Sequence, residues 1–214
     1  MHRDTMMTKL TKNVQAILVA GMAALIMAVP MGTALAQSEN APSSTTATYG
    51  DWLVRCSQVK LPKQEGEAKT TKACEMVHVI RFTTKAGKDA KGNDVPARTQ
   101  VLAHILIGKP AGTDTHRIVM QLPVGVWLRD GVEMAYADTA EGLKTAKDDR
   151  LHKASFYQCN VRSCLADAEL TKAQTSGALG AKFAQMTFID SARRKIIAQV
   201  SMNGYAGAYN AINQ

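Results

Sequence analysis

Apolar and polar residues alternate along most of the chain beyond residue 49, and this period of two is typical of β-strands with one buried face. The first such segment, residues 51–57, places Trp52, Val54 and Cys56 on one face. The other predicted strands are residues 73–82, 99–107, 116–122, 126–128, 132–137, 155–159, 164–168, 183–189 and 195–202. Short strands separated by frequent turn residues predict an all-β, mainly antiparallel domain, either a sandwich or a barrel.

Two short helices interrupt this pattern, at residues 171–176 with Thr171 as a possible N-cap, and at residues 205–212 after Gly204. Two long basic connections, residues 60–72 and 84–98, lie on either side of the second predicted strand. In an antiparallel meander, successive connections fall at opposite ends of the sheet. We therefore expect the two basic connections not to form one patch.

The N-terminal segment has the three-part layout of a secretory signal peptide. Arg3, Lys9 and Lys12 precede an apolar run at residues 14–29, and small residues at 34 and 36 suit cleavage after Ala36. A membrane anchor is the alternative, although Pro30 and Gly32 break the helix before the cleavage site. We predict a signal peptide at residues 1–36, a flexible linker at 37–48 and one β-domain at 49–214.

These boundaries predict where the protein is found. Residue 37 is Gln and not Cys, which argues against a lipid-anchored lipoprotein, and no second long apolar run follows. The mature chain is therefore expected to have no transmembrane segment and to be periplasmic, associated with the outer envelope, or secreted.

Charge adds little to this picture. The chain has 26 basic and 18 acidic residues, a net charge of +8, and removal of residues 1–36 leaves 23 − 17 = +6. A basic exported domain is attracted to anionic surfaces such as lipid headgroups, lipopolysaccharide or host glycans. The alternative is that scattered lysines simply keep the protein soluble.

All four cysteines, Cys56, Cys74, Cys159 and Cys164, lie in the predicted mature chain, and an even count in an oxidising compartment indicates two disulfides. Of the three possible pairings, Cys56–Cys74 and Cys159–Cys164 are favoured because each is local. Strand parity supports the first pair, since both cysteines share the apolar faces of neighbouring strands. A zinc site is the alternative, but no Cys-x2-Cys or His-x3-His spacing is present.

The sequence offers no catalytic or cofactor-binding motif. His78, His104, His116 and His152 each stand alone in their segments, and there is no Gly-x-Ser-x-Gly, His-Glu-x-x-His or glycine-rich phosphate loop. Aromatic residues make up 5% of the chain, too few to provide stacking platforms for nucleic acid. We therefore predict a protein that is not an enzyme and binds no cofactor, metal or nucleic acid.

Four sequence blocks resemble the invasion-associated locus B proteins of alphaproteobacteria. They are Tyr49-Gly-Asp-Trp-Leu-Val-Arg-Cys56, Leu122-Pro-Val-Gly-Val-Trp-Leu-Arg-Asp-Gly-Val132, FYQCNVRSCLA at residues 156–166, and Ser201-Met-Asn-Gly-Tyr-Ala-Gly-Ala-Tyr209. They follow the family's order and span nearly all of residues 49–212. The chain departs from the family at the charged stretch 138–153 and at Ser163, where a glycine is common.

This resemblance implies an immunoglobulin-like antiparallel β-sandwich, export to the periplasm or outer envelope, and no catalytic residues. Some family members support invasion of host cells, and many occur in free-living bacteria. The resulting hypothesis is a binding or interaction module that contacts an envelope component or a host-cell surface, in support of invasion or of envelope maintenance. The alternative is a periplasmic enzyme or enzyme inhibitor whose site is assembled in space. Two histidines that converge with a carboxylate would favour that alternative.

Overall fold

Strands form most of the part of the chain that this computed structural model describes, which is residues 44–61 and 69–214. The strands are β1 (Ser44–Tyr49), β2 (Trp52–Lys60), β3 (Thr70–Thr83), β4 (Gly87–Lys88), β5 (Asp94–Val95), β6 (Thr99–Gly108), β7 (Arg117–Pro123), β8 (Val132–Ala137), β9 (Leu151–Cys159), β10 (Ser163–Glu169), β11 (Phe183–Ile189) and β12 (Lys195–Val200). The helices are α1 (Lys172–Gly180) and α2 (Tyr205–Ala211), with 3-10 turns at Glu141–Thr145 and Asp148–Arg150.

Ten of these strands form one antiparallel sheet in the order β1-β2-β3-β6-β7-β10-β9-β8-β11-β12, and β4 and β5 form a separate hairpin. The sheet folds into two layers at β9, whose first half pairs with β8 and whose second half pairs with β10. The spatial order β7-β10-β9-β8 is a Greek key, the connection found in most β-sandwiches, including immunoglobulin-type domains. The prediction of an all-β antiparallel sandwich with two short helices is confirmed.

The core lies between the layers and is filled by the inward residues of each alternating strand. Trp52 and Val54 of β2 pack with Met76 of β3, and the same parity buries Ile105 and Ile107 of β6. Tyr205 of α2 joins this core, so the C-terminal helix closes one side of the sandwich. Burial of a large aliphatic or aromatic side chain contributes about 1.5–3 kcal/mol, which explains why the alternation predicted the strands.

Both disulfides join residues that are direct partners across neighbouring strands. Cys56 of β2 faces Cys74 of β3, and Cys159 of β9 faces Cys164 of β10. Bonds Cys56–Cys74 and Cys159–Cys164 are both present, and these are the pairings favoured by the sequence. Each bond therefore fixes the register of one antiparallel strand pair.

The structure corrects two sequence predictions. Ser44–Tyr49, assigned to the flexible linker up to residue 48, is a strand paired with β2. The side chains of this strand are largely exposed. Its sequence therefore lacks the alternation of apolar and polar residues by which the other strands were predicted. Residues 126–128, predicted as a strand, form only an isolated bridge from Val126 to Asp190, because Gly125 turns the chain with a φ of 90°. The predicted signal peptide and residues 37–43 lie outside the described residues.

Both predicted helices are present, and the first is longer at its C-terminal end than predicted. Thr171 caps α1 through a capping box with Gln174, and α1 continues to Gly180 instead of ending at residue 176. The basic connections 60–72 and 84–98 adjoin opposite ends of β3, a strand of 14 residues. Residues 62–68 lie outside the described part of the chain, so the expectation that the two connections do not form one patch stays a prediction.

Candidate ligand-binding groove

One row of side chains crosses the outer face of the first layer. The antiparallel register aligns Thr46, Arg55, Glu75, Gly108 and Arg117 on the neighbouring strands β1, β2, β3, β6 and β7. Charged side chains occupy three of these five positions. The position on β6, between Glu75 and Arg117, is a glycine, which has no side chain. The row therefore has a gap in its middle.

Gly108 creates this gap because no other residue fits the close approach of β6 to β3. A Cβ atom at Gly108 would lie 2.7 Å from the carbonyl oxygen of Cys74. The gap widens into a groove of about 570 Å³. This volume is within the range of small-ligand and peptide-side-chain sites.

The groove combines an apolar floor with charged walls. Leu106 and Val119, in the neighbouring row, line it together with Ala73, and Lys109, Pro110 and Ala111 form one wall. A lining of this kind, with few polar groups around an apolar surface, is typical of binding sites.

Ion pairs hold the charged walls in place. The Arg55 Nε donates to Glu75 Oε1 at 2.5 Å across β2 and β3. Arg117 binds Asp167, and its Nη1 donates to Glu169 Oε1 at 3.2 Å. Lys109 is exposed at the rim. The three cations around the groove are matched by the carboxylates of Glu75, Asp167 and Glu169. Among the described residues, Lys109 is the lining cation that forms no ion pair, so it is the group that an acidic ligand would meet.

Sequence reasoning did not find this groove. It is assembled from five strands, and residue 108 followed the predicted strand 99–107 with no sign of a special role. Gly108 lies between Glu75 and Arg117 only because β3, β6 and β7 pair in one particular register, and that register cannot be read from any one strand. A glycine at the end of an otherwise apolar strand was the available signal, since glycine within strands marks close backbone approach.

A second feature joins the two ends of the domain and accounts for two of the family-like blocks. The Asp51 N–H donates to the Asn203 carbonyl at 3.1 Å, and the Ser201 hydroxyl donates to Asp51 Oδ2 at 2.5 Å. The Trp52 Nε1–H donates to the Ser201 carbonyl at 2.8 Å. We call Asp51, Trp52, Ser201 and Asn203 the terminal clasp. Its hydrogen bonds show that these blocks have a structural role.

The terminal clasp contains an aspartate, a serine and, nearby, a histidine, but it lacks the connectivity of a catalytic triad. His78 Nδ1 donates to the Asp51 backbone carbonyl at 2.9 Å and its ring stacks on Trp52. The Ser201 hydroxyl donates to the Asp51 carboxylate and not to an imidazole. In a catalytic triad, the serine hydroxyl donates to a histidine, and a carboxylate orients that histidine. Here the Ser201 hydroxyl donates directly to the Asp51 carboxylate, and that carboxylate makes no hydrogen bond to His78.

The other three histidines of the described residues lie apart from one another. His104 is on the outer face beside Gln121 of β7, and His116 Nδ1 is 3.3 Å from the Tyr209 hydroxyl. His152 is buried against the Tyr136 ring. In the described part of the chain, no histidine is hydrogen-bonded to a carboxylate or to another histidine. Among the same residues, no group of three or more potential metal ligands occurs.

Burial shifts the titration of two of these rings. It lowers the pKa of His152 to about 4, because desolvation disfavours the cation, and the Gln174 side chain offsets only part of this shift. Burial and the charge of Lys109 lower the pKa of His116. Both rings are therefore neutral at pH 7, which suits core and wall residues.

The fold, the two disulfides and the outer-face groove define a small disulfide-bonded β-sandwich domain. The chain belongs to the invasion associated locus B (IalB) protein family, whose model matches residues 52–213. The resemblance stated from the four sequence blocks is thereby confirmed.

Among solved structures, the chain is similar to invasion associated protein b from Bartonella henselae, with a TM-score of 0.50 and 16% sequence identity. The match covers 79% of this chain and 95% of that chain, and at this identity it shows a shared fold. No curated protein matches the sequence. Within residues 44–61 and 69–214, no helix has both the length and the apolar character needed to cross a membrane.

Proposed function

We propose that this chain is an exported, non-catalytic interaction module of the bacterial cell envelope, and that it binds an extended, acidic polypeptide segment in the outer-face groove. The groove over Gly108 is the observation that carries the proposal, because it joins an apolar floor to a cation at the rim, Lys109. The partner belongs to the envelope or to a host-cell surface. The family's name associates its members with invasion, and that association supports the second of these settings.

The neighbouring sheet edge favours an extended ligand. β1 is at one end of the ten-stranded order, and its Ser44 and Thr46 line the groove. An edge strand presents unpaired backbone N–H and C=O groups, to which an extended peptide adds as a further strand. From that edge, the segment would continue across the strands, along the row from Thr46 to Gly108, to reach Leu106 and Val119.

The arrangement of the histidines supports a binding role over the enzyme alternative. His78, His104, His116 and His152 occupy separate surroundings, and the Ser201 hydroxyl does not contact an imidazole. An enzyme or inhibitor with a spatially assembled site would need such groups to converge.

A peptide-binding measurement tests the proposal directly. The probe is a fluorescein-labelled decapeptide of alternating valine and glutamate, and the control probe replaces glutamate with lysine. We expect the acidic probe to bind, and Val119→Arg to weaken its binding at least tenfold by filling the groove. Ile197→Ser, an exposed position on β12, is the matched control and should bind as the parent does.

Equal binding of the acidic and basic probes would contradict the charge preference. An undiminished affinity in Val119→Arg would show that the groove is not the site. Export is tested separately, because cleavage after Ala36 predicts a mature chain that starts at Gln37. An intact mass that includes Met1 in the envelope fraction would contradict export with processing.

A further inference from the structure

Exposed apolar side chains are concentrated at one end of the sandwich. Among the described residues, ten large apolar side chains are exposed, and seven of these are at the same end. The seven are Phe82, Val95, Val101, Val124, Leu128, Tyr157 and Val161. We call this the hairpin end, and it consists of the segments 84–98, 123–131, 160–162 and 190–194 with the adjoining strand ends. The groove over Gly108 is on a different part of the surface.

Contacts join three of these segments to one another and to Val101, on the strand that follows the 84–98 segment. Pro123 pairs with Ser163 across β7 and β10, so the 123–131 segment begins beside the hairpin tip. Val101 and Arg162 line one shallow depression with Pro123. The 190–194 turn is attached by the Ser191 N–H, which donates to the Gly125 carbonyl at 2.8 Å.

Val161 is exposed at the tip of the β9–β10 hairpin, and a disulfide and two hydrogen bonds fix the conformation of this tip. The Cys159–Cys164 disulfide closes the hairpin, and the Asn160 side-chain oxygen accepts from the backbone N–H groups of Arg162 at 2.8 Å and Ser163 at 3.0 Å. Val161 is 92% exposed at the apex. A valine in this position adds nothing to the core, and exposure of its apolar surface to water is unfavourable.

Arginine side chains surround these apolar residues. The Arg193 guanidinium lies 3.7 Å from the centre of the Trp127 ring, and Arg193 adopts a φ of 63°, which is uncommon for a non-glycine residue. Arg129 and Arg162 are exposed on the other segments. Arginine and tryptophan are both favoured at membrane–water interfaces, where the ring has an apolar body and the guanidinium binds phosphate.

The charge of the hairpin end is strongly positive. Its four segments contain eight cations, Lys85, Lys88, Lys91, Arg98, Arg129, Arg162, Arg193 and Arg194, and four anions, Asp89, Asp94, Asp130 and Asp190. The difference, 8 − 4 = +4, is half of the chain's total net charge of +8. Clustered cations beside exposed apolar residues are the combination that binds anionic bilayers.

We propose that the hairpin end docks on the surface of an anionic phospholipid bilayer. Val161 and the neighbouring apolar side chains enter the headgroup region, and Arg129, Arg162 and Arg193 bind lipid phosphates. Four of the apolar side chains, Val95, Val124, Leu128 and Val161, lie on three separate connections between the strands of the sandwich, an arrangement that a fluid bilayer accommodates. A protein partner would need one rigid surface complementary to all three connections, so the bilayer is the occupant that this geometry favours.

Vesicle co-sedimentation of the mature, disulfide-bonded chain tests this proposal. The probes are vesicles of phosphatidylcholine with one quarter phosphatidylglycerol, and vesicles of phosphatidylcholine alone. We expect binding to the anionic vesicles that decreases with salt, and little binding to the neutral ones. Val161→Ser should weaken binding about tenfold, because it removes inserted apolar surface. Arg162→Gln should weaken binding and reduce the salt dependence.

Matched controls separate this effect from unfolding and from simple anion binding. Ile197→Ser removes a different exposed apolar side chain and should bind as the parent does. Near-ultraviolet circular dichroism should be unchanged in Val161→Ser, since the side chain is outside the core. No sedimentation with anionic vesicles, or parent-like binding of Val161→Ser, would overturn the proposal. Complete displacement by millimolar glycerol phosphate would also overturn it, because it would indicate a phosphate site without bilayer insertion.

Discussion

The hydroxyl of Ser201 donates a hydrogen bond to the carboxylate of Asp51, and the two residues are 150 positions apart in the chain. This bond and that from the Trp52 indole to the Ser201 carbonyl tie the start of β2 to the segment after β12. The terminal clasp therefore connects the first layer of the sandwich to the segment that leads into α2.

Loss of the Ser201 hydroxyl should destabilise the domain. In Ser201→Ala the Asp51 carboxylate and the Asn203 N–H both lose a partner. We expect the free energy of unfolding to fall by about 1–2 kcal/mol, the range for such hydrogen bonds. Urea denaturation with both disulfides intact measures this. The exposed Ser191→Ala is the control, and equal unfolding midpoints for the two variants would argue against the clasp.

His152 should make stability depend on pH in a defined window. Its pKa is lowered from 6.5 to about 4 by burial, and the side chain is 1% exposed. Between pH 6.5 and 4 the unfolded chain binds a proton that the folded chain does not, so stability falls as pH falls through this window. Above pH 6.5 the contribution is fully present, and its total size is about 3 kcal/mol.

The variant His152→Phe removes this titration and keeps an aromatic ring against Tyr136. We expect its unfolding free energy to change less between pH 6.5 and 4 than that of the parent. Chemical denaturation at several pH values provides the comparison. Parallel pH profiles for the two proteins would show that His152 is not the group responsible.

The two disulfides should differ in their contribution to stability. Cys56–Cys74 closes a loop with a sequence separation of 18, and Cys159–Cys164 one with a separation of 5. Chain-entropy reasoning gives about 3 kcal/mol for the longer loop and about 2 kcal/mol for the shorter one. The melting temperature should therefore fall further for Cys56→Ala with Cys74→Ala than for Cys159→Ala with Cys164→Ala. The reverse order in calorimetry would contradict this.

Gly108 should tolerate no side chain, because its Cβ would meet the Cys74 carbonyl at 2.7 Å. We expect Gly108→Ala to lower the free energy of unfolding by about 1–3 kcal/mol, the cost of forcing extra volume into a packed position. Gly180→Ala, where a Cβ meets nothing within 4 Å, is the matched control and should be neutral or slightly stabilising. A neutral result at Gly108 would show that β3 and β6 can separate without cost.

The strands of the core and the disulfides were predictable because they depend on which residues of a single strand share a face, and this follows from the sequence of that strand. Trp52, Val54 and Cys56 share a face in any strand that contains them, and so do Cys74 and Met76. β1 was not predictable, since its exposed threonines pair through the backbone and show no apolar alternation.

The candidate groove was beyond prediction for a different reason. It depends on the register of five strands, which places Gly108 between Glu75 and Arg117. A sequence shows which residues share a face of one strand, but the neighbours of each residue across a sheet depend on pairings of distant segments. The terminal clasp has the same origin, since Asp51 and Ser201 meet only in the folded chain.

Site-specific photocrosslinking in living cells tests the central claim, that the protein acts by binding a partner in the groove. A photoreactive residue is placed at Val119 in the groove and, as a control, at Ile197 on β12. We predict a covalent adduct with a polypeptide from position 119, absent from position 197, and reduced by the rim variant Lys109→Glu. Absence of an adduct from position 119, or the same adduct from both positions, would contradict the account.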